Sequence, residues 1–184
     1  MPDKYDRKYP LFALCGLNCG LCVNYVGNTK PEASFRCPGC GGDAFCNAHG
    51  SCSLFTCAQR HGGVEYCYEC VDFPCEHYTK ECDNEFFLVC RNARKDLERA
   101  KAIGADSYVA EQEEKVAILQ HLLTNYNDGR RKTFFCVAVN LLSLDDLKSL
   151  LTQVTPETPP KEVVRLFEDV AKERGEVLKL IKKK

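Results

Sequence analysis

Three pairs of cysteines, each separated by two residues, fall within 52 positions of this chain: Cys19-Gly-Leu-Cys22, Cys37-Pro-Gly-Cys40 and Cys67-Tyr-Glu-Cys70. A Cys-x2-Cys turn lets two thiolates reach one ion at ~2.3 Å, and a glycine after the second cysteine supplies the positive φ such turns often need. The second pair, followed by Gly41-Gly42, has the form of a zinc knuckle. Around the pairs stand Cys15, the segment Cys52-Ser-Leu-Phe-Thr-Cys57, and Phe73-Pro74-Cys75. The five-residue step from Cys52 to Cys57 suits ligands on a helical turn or on two sides of a loop.

Counting ligands sets the number of ions. Structural zinc takes four, so Cys19, Cys22, Cys37 and Cys40 complete one site and Cys57, Cys67, Cys70 and Cys75 a second. Cys15 and Cys52 remain over, and either can replace a chosen ligand, since spacing does not distinguish a sequential arrangement from an interleaved one. The expected cofactor is two zinc ions. An iron–sulfur cluster in electron transfer or redox sensing is the alternative, because thiolates alone do not choose between zinc and iron. Cys15-x3-Cys19-x2-Cys22 also has the spacing of the radical S-adenosylmethionine cluster loop. The repeated strand and helix units of those barrel enzymes are missing after Cys22.

His49, His61 and His77 stand near the cysteines, but two sites close without them, so they read as loop residues and His121 as structural. A catalytic cysteine needs a partner base or dipole, and a thioredoxin-like pair needs a β-α-β context. Neither is visible, and four thiolates close a zinc ion to substrate, so the chain reads as a binding protein and not an enzyme. Asn125-Tyr-Asn-Asp-Gly-Arg-Arg-Lys132 places three cations beside a glycine turn and could bind a small anion; its Asn-Asp-Gly signal reads more simply as a solvated loop.

The rest of the chain must position these groups. The chain has 184 residues and 14 cysteines, with no signal-peptide pattern at its start and no apolar run of membrane-spanning length. A cytoplasmic, reducing setting is expected, in which clustered cysteines bind metal more often than they form disulfides. Residues 1–84 contain 14 Leu, Ile, Val and Phe, too few for a core without a staple, whereas residues 85–184 contain 32. Eleven cysteines, Cys15 through Cys75, supply the staple. The expected fold is a small metal-stabilised cysteine-rich domain of loops, knuckles and short helices (1–84) packed on a mainly α-helical scaffold (85–184). Residues 1–90 carry 7 Lys and Arg against 11 Asp and Glu. That acidic balance argues against nucleic acid and leaves another protein or a small anion as partner.

The second half has helical periodicity. Phe86, Val89, Cys90, Ala93, Leu97 and Ala100 predict a helix from Glu85 to Gly104, with Cys90 in the core. A second helix starts at Asp106 or Ser107. The apolar run 134–142 leans to helix, with Cys136 buried. Ser143 marks another N-terminus, and Pro159-Pro160 opens a last helix carrying Val163, Phe167, Val170, Val177 and Ile181 towards Lys182–Lys184.

Taken in order, Cys15-Gly-Leu-Asn-Cys19-Gly-Leu-Cys22, Cys37-Pro-Gly-Cys40, Cys52-x4-Cys57-Ala and Cys67-x2-Cys70 with Phe73-Pro74-Cys75-Glu76 resemble bacterial and archaeal domain-of-unknown-function family 3795. The similarity covers residues 11–78, and more loosely reaches Arg99–Gly104 and Tyr126–Lys132 towards Leu142. It implies that Cys15, Cys19, Cys22, Cys37, Cys40, Cys52, Cys57, Cys67, Cys70 and Cys75 are the family's cysteine set, with Cys46, Cys82, Cys90 and Cys136 outside it. It implies no activity.

Overall fold

A computed structural model of the chain describes residues 7–27, 37–41, 52–79, 82 and 84–183. Among them are eight α-helices: α1 (Val23–Gly27), α2 (Ser53–Arg60), α3 (Glu76–Thr79), α4 (Ala93–Ile103), α5 (Ala105–Asn125), α6 (Lys132–Leu141), α7 (Leu144–Thr152) and α8 (Pro160–Glu173). Single 3-10 turns lie at Cys19–Leu21 and Cys67–Glu69. The described residues contain no strand ladder, only an isolated antiparallel bridge between Phe12 and Asn18. A cysteine-rich segment of loops and short helices therefore lies against a helical second half. No helix of the described residues is long and apolar enough to cross a membrane.

Local signals explain most of the helix ends. Gly104, at φ 87°, ends α4 and precedes α5. Ser143 caps α7 by accepting a 3.1 Å bond from the Asp146 amide, and Asp146 in turn pairs with Arg174 at 2.7 Å. Pro160 opens α8, where a missing N–H costs nothing. The apolar run is helical through Leu141, with Leu142 extended after it, and six consecutive residues from Phe135 to Asn140 are buried, Cys136 among them.

Two expectations fail. No helix begins at Glu85: residues 84–92 are irregular, Phe86 and Phe87 are exposed, and α4 starts at Ala93. The cause is Glu85 itself, which is buried and gathers the local backbone onto its carboxylate. It accepts from the Cys90 amide at 2.9 Å, the Arg91 amide at 3.3 Å, the Arg91 guanidinium at 2.5 Å and the distant Ile181 amide at 3.0 Å. Such a net offers those donors partners that a helix would otherwise supply. Cys90 is accordingly half-buried and disulfide-bonded to Cys82, not a core residue.

The last helix also stops early, at Glu173. Gly175 takes φ 70° and Glu176 donates 2.8 Å back to the Ala171 carbonyl, the 6→1 bond of a Schellman end. Val177 and Ile181 thus leave the apolar face and are exposed, and Lys182 and Lys183 lie beyond the helix end and do not complement its dipole. The tail is clasped instead by Arg91, which donates 2.6 Å to the Val177 carbonyl and 3.3 Å to that of Lys179.

Three apolar clusters hold these pieces together. The largest joins α5, α6, α7 and α8 through Leu119, Leu122, Phe135, Leu147, Val163 and Phe167, and admits Leu21 from the cysteine-rich segment. A second packs Phe12 and Tyr66 against Leu97 and Ala100 of α4 and Tyr108 of α5. The third, of Ala13, Leu14, Cys40, Phe55 and Ala58, lies among the cysteines. Two of the three clusters therefore cross residue 84.

Candidate metal centre

The short segment 10–14 organises the cysteines. Its own loop is closed by Ala13 donating to the Leu17 carbonyl (2.9 Å) and Cys19 donating to that of Leu11 (2.8 Å). The amide of Cys40 then donates 2.7 Å to the Pro10 carbonyl, and that of Cys67 donates 2.9 Å to the Leu14 carbonyl. One cysteine of each Cys-x2-Cys pair is thus tied by its backbone to the same five residues. Glycine is required twice here. Gly16, at φ +89°, lies against α4 so closely that a Cβ would fall on the Ala93 carbonyl oxygen. Gly39, at φ +79°, is pressed onto the Pro10 carbonyl in the same way, beside Gly41 at φ 81° after the knuckle.

The thiols divide differently from the sequential assignment. Cys15, Cys19, Cys40 and Cys52 gather around the third apolar cluster, which Cys67 also touches. Burial pushes the Cys15 thiol up to about 12, with the neighbouring Cys40, Cys67 and Cys52 sulfurs adding to it. Cys19 is raised well above the usual thiol range by burial and then by Cys40 and Cys15; Cys40 is raised by burial, with Cys52 adding. Cys52 also caps α2, its Sγ accepting from the Phe55 amide at 3.5 Å. Cys22 also raises the neighbouring Cys19, but its own further neighbours differ. Its thiol, raised mainly by burial, has Cys37 and Lys132 as its charged neighbours and lies 3.7 Å from the Phe87 carbonyl. The two cysteines left over in the sequence thus join Cys19 and Cys40, while Cys22 and Cys37 stand together beside Lys132.

The other four cysteines are neighbours in the fold. Cys57, Cys67, Cys70 and Cys75 line one small cleft of ≈ 20 Å³ together with His61, His77 and Tyr78. The Cys67 thiol is pushed up to about 11 by burial; the Tyr78 hydroxyl lowers it by hydrogen bonding, and Cys75, Cys57 and Cys70 raise it. Tyr78 also donates 3.2 Å to the Cys15 carbonyl, so one phenol touches both sets.

Sequence reasoning set His61 aside. In the fold it caps the end of α2, four residues after Cys57, and its ligand atoms, with those of Cys70 and Asp72, lie within 4.8 Å of one another. The signal was present as Cys57-x3-His61, since residues four apart on a helix share a face. The ligand atoms of Cys82, Glu85 and Cys90 lie equally close together. There the sulfurs are bonded to each other and the carboxylate is saturated by Arg91 and backbone amides, so that group is structural. Cys46 and His49 lie outside the described residues.

The remaining polar loop satisfies itself. Asn127 Oδ1 accepts from the Gly129 and Arg131 amides at 3.2 and 3.1 Å, and Arg131 pairs with Asp128 at 3.1 Å.

The donor set fits a soft or borderline cation. Several buried thiols crowded together resist ionisation, through desolvation and mutual repulsion, and a bound cation reverses both penalties by stabilising the thiolates directly. No curated protein and no solved structure matches the chain. Residues 11–80, which contain all ten of these cysteines, match the family model described as protein of unknown function (DUF3795).

Proposed function

We propose that this chain is a zinc-binding protein in which two sets of four thiolates, Cys15/Cys19/Cys40/Cys52 and Cys57/Cys67/Cys70/Cys75, hold structural ions that seat the cysteine-rich segment on the helices. The observation that carries this reading is the single cleft shared by Cys57, Cys67, Cys70 and Cys75. Its ≈ 20 Å³ is room for one water-sized body. One ion fits that space, which favours zinc over a multi-atom iron–sulfur cluster. Soft thiolate donors with a histidine beside them suit the same choice.

The role served is interaction or regulation. A groove of ≈ 690 Å³ runs between the first thiolate set and α4, lined by Cys15, Leu17 and Tyr78 on one side and Arg91, Arg94 and Lys95 on the other. Glu98 also lines it; Arg91 pairs with Glu85 and Arg94 with Glu98, so Lys95 and the apolar groups would carry recognition of a segment of another protein or a small anion.

Metal analysis and a visible spectrum after anaerobic purification test the metal. Two zinc ions per chain are expected. Stoichiometric iron with a broad absorption band near ~400 nm refutes the zinc reading, since d10 zinc has no such transition. Cys67→Ser and Cys40→Ser should each lose one ion, while Cys136→Ser, at a buried thiol in the helical core, should keep both.

A further inference from the structure

His61 is held in the orientation of a metal ligand. Its Nδ1 lies 2.9 Å from the Cys57 carbonyl oxygen and 3.5 Å from Cys57 Sγ, and because a carbonyl only accepts, the tautomer that satisfies the shorter contact carries its proton on Nδ1. That leaves Nε2 as the nitrogen available to a cation, 3.3 Å from Asp72 Oδ2 and grouped with Cys70 Sγ. A backbone carbonyl fixing one ring nitrogen while the other faces the ion is the usual support for a metal-binding histidine.

We propose that His61, Cys70 and Asp72 form an exposed, three-ligand site for a divalent thiophilic cation at the mouth of the second cysteine set, through which that set exchanges its ion. The inference rests on reading Cys57, Cys67, Cys70 and Cys75 as ligands of one ion. Nitrogen, sulfur and carboxylate donors together suit zinc. Three protein ligands leave a fourth position open to water or to an incoming donor, whereas four thiolates leave none. Exposure divides the two modes in the same way. The side chains of His61 and Asp72 are 38% and 60% exposed, while Cys67 and Cys75 face the cleft.

Cys70 belongs to both groups, so it can keep its bond while His61 Nε2 and the Asp72 carboxylate replace two cleft thiolates and the third departs, its position passing to water or the incoming donor. No change of oxidation state is involved, only ligand substitution at a cation that stays divalent. A purely closed site would have to break a thiolate bond without a replacement before any ion could leave. The trio removes that requirement at the solvent edge.

The test uses the full chain purified with its resident zinc under reducing conditions and mixed with a chromogenic zinc chelator. The wild type should release one ion in a fast phase and the remainder slowly. His61→Gln and Asp72→Asn, both at solvent-facing side chains, should keep the wild-type ion count and slow the fast phase by about tenfold or more. A fast phase unchanged in both variants overturns the proposal. So does loss of an ion from the total of either variant, which would make that residue a permanent ligand. Cys57→Ser and Cys67→Ser separate this from the underlying reading: if both retain the full ion count, the four-thiolate set is wrong and the exchange site falls with it.

Discussion

Replacing Gly16 by alanine separates backbone strain from packing, because the fold contains a control for it. Gly16 and Gly62 have nearly the same positive φ, +89° and +88°, which costs a non-glycine residue roughly 1–2 kcal/mol. At Gly62 nothing lies within 4 Å of an added Cβ, so Gly62→Ala should cost only that backbone amount. At Gly16 the new methyl falls on the Ala93 carbonyl oxygen and 2.8 Å from Leu97 Cγ, a core atom of α4 that is itself fully buried. Overpacking of this kind adds about 1–3 kcal/mol. The expected loss is therefore roughly 2–5 kcal/mol for Gly16→Ala, read from urea denaturation followed by circular dichroism. Because Gly16 lies between Cys15 and Cys19, the variant should also retain less metal in the first set. A Gly16→Ala loss no larger than that of Gly62→Ala would refute the claim that the cysteine loop is seated on α4 by backbone contact.

Three further outcomes follow from the same contacts. Arg91→Ala strands the buried Glu85 carboxylate and frees the C-terminal tail, and should cost about 3–5 kcal/mol in denaturant titration; a loss under about 1 kcal/mol would show that Glu85 does not organise residues 84–92. Asp96, whose Oδ2 accepts from Asn18 at 3.0 Å and Asn92 at 2.8 Å, is pushed up to about 7 by burial, against the lowering influence of Lys115, Tyr108 and Asn18. The folded protein then holds a proton that the unfolded chain, with its Asp near ~3.9, has released, so stability should fall as pH rises from about 4 to 7. Asp96→Asn should flatten that slope, and an unchanged pH profile would remove Asp96 as its source. Chelation should unfold the cysteine-rich segment and loosen α4, which shares a cluster with Phe12 and Tyr66, while the core of α5–α8 keeps most of the helical signal. Complete loss of helicity in step with metal removal, by circular dichroism, would show that core to depend on the metal as well.

Helix ends set by neighbouring residues were legible in the sequence. Ser143 with Asp146, Pro160 at a first turn and Gly104 at a joint all act within four residues, so a linear reading finds them. The apolar stripe of α8 was legible for the same reason as far as Val170. It misled beyond Glu173 because Val177 and Ile181 continue the period while Gly175 ends the helix. Residues 85–92 misled more deeply. Their periodicity was helical, but the partner that decides their conformation includes the backbone of Ile181, 96 positions away, which no window of local pattern contains.

The cysteine types and their spacing, taken alone, supplied the candidate metal donors of the first 80 residues, and the hydrophobic period supplied the helical core after them, because soft-donor identity and period are properties of the residues themselves. Which thiols are neighbours was decided only by tertiary structure. Cys15 and Cys52 join Cys19 and Cys40 because the Cys40 amide bonds to Pro10 and Cys52 caps a helix on the same apolar cluster. His61 and Asp72 stand beside Cys70 because α2 ends against the turn that follows it. Spacing fixes only the reach of each ligand along the chain; the backbone hydrogen bonds and buried side chains that carry distant ligands together are made between segments the sequence keeps apart.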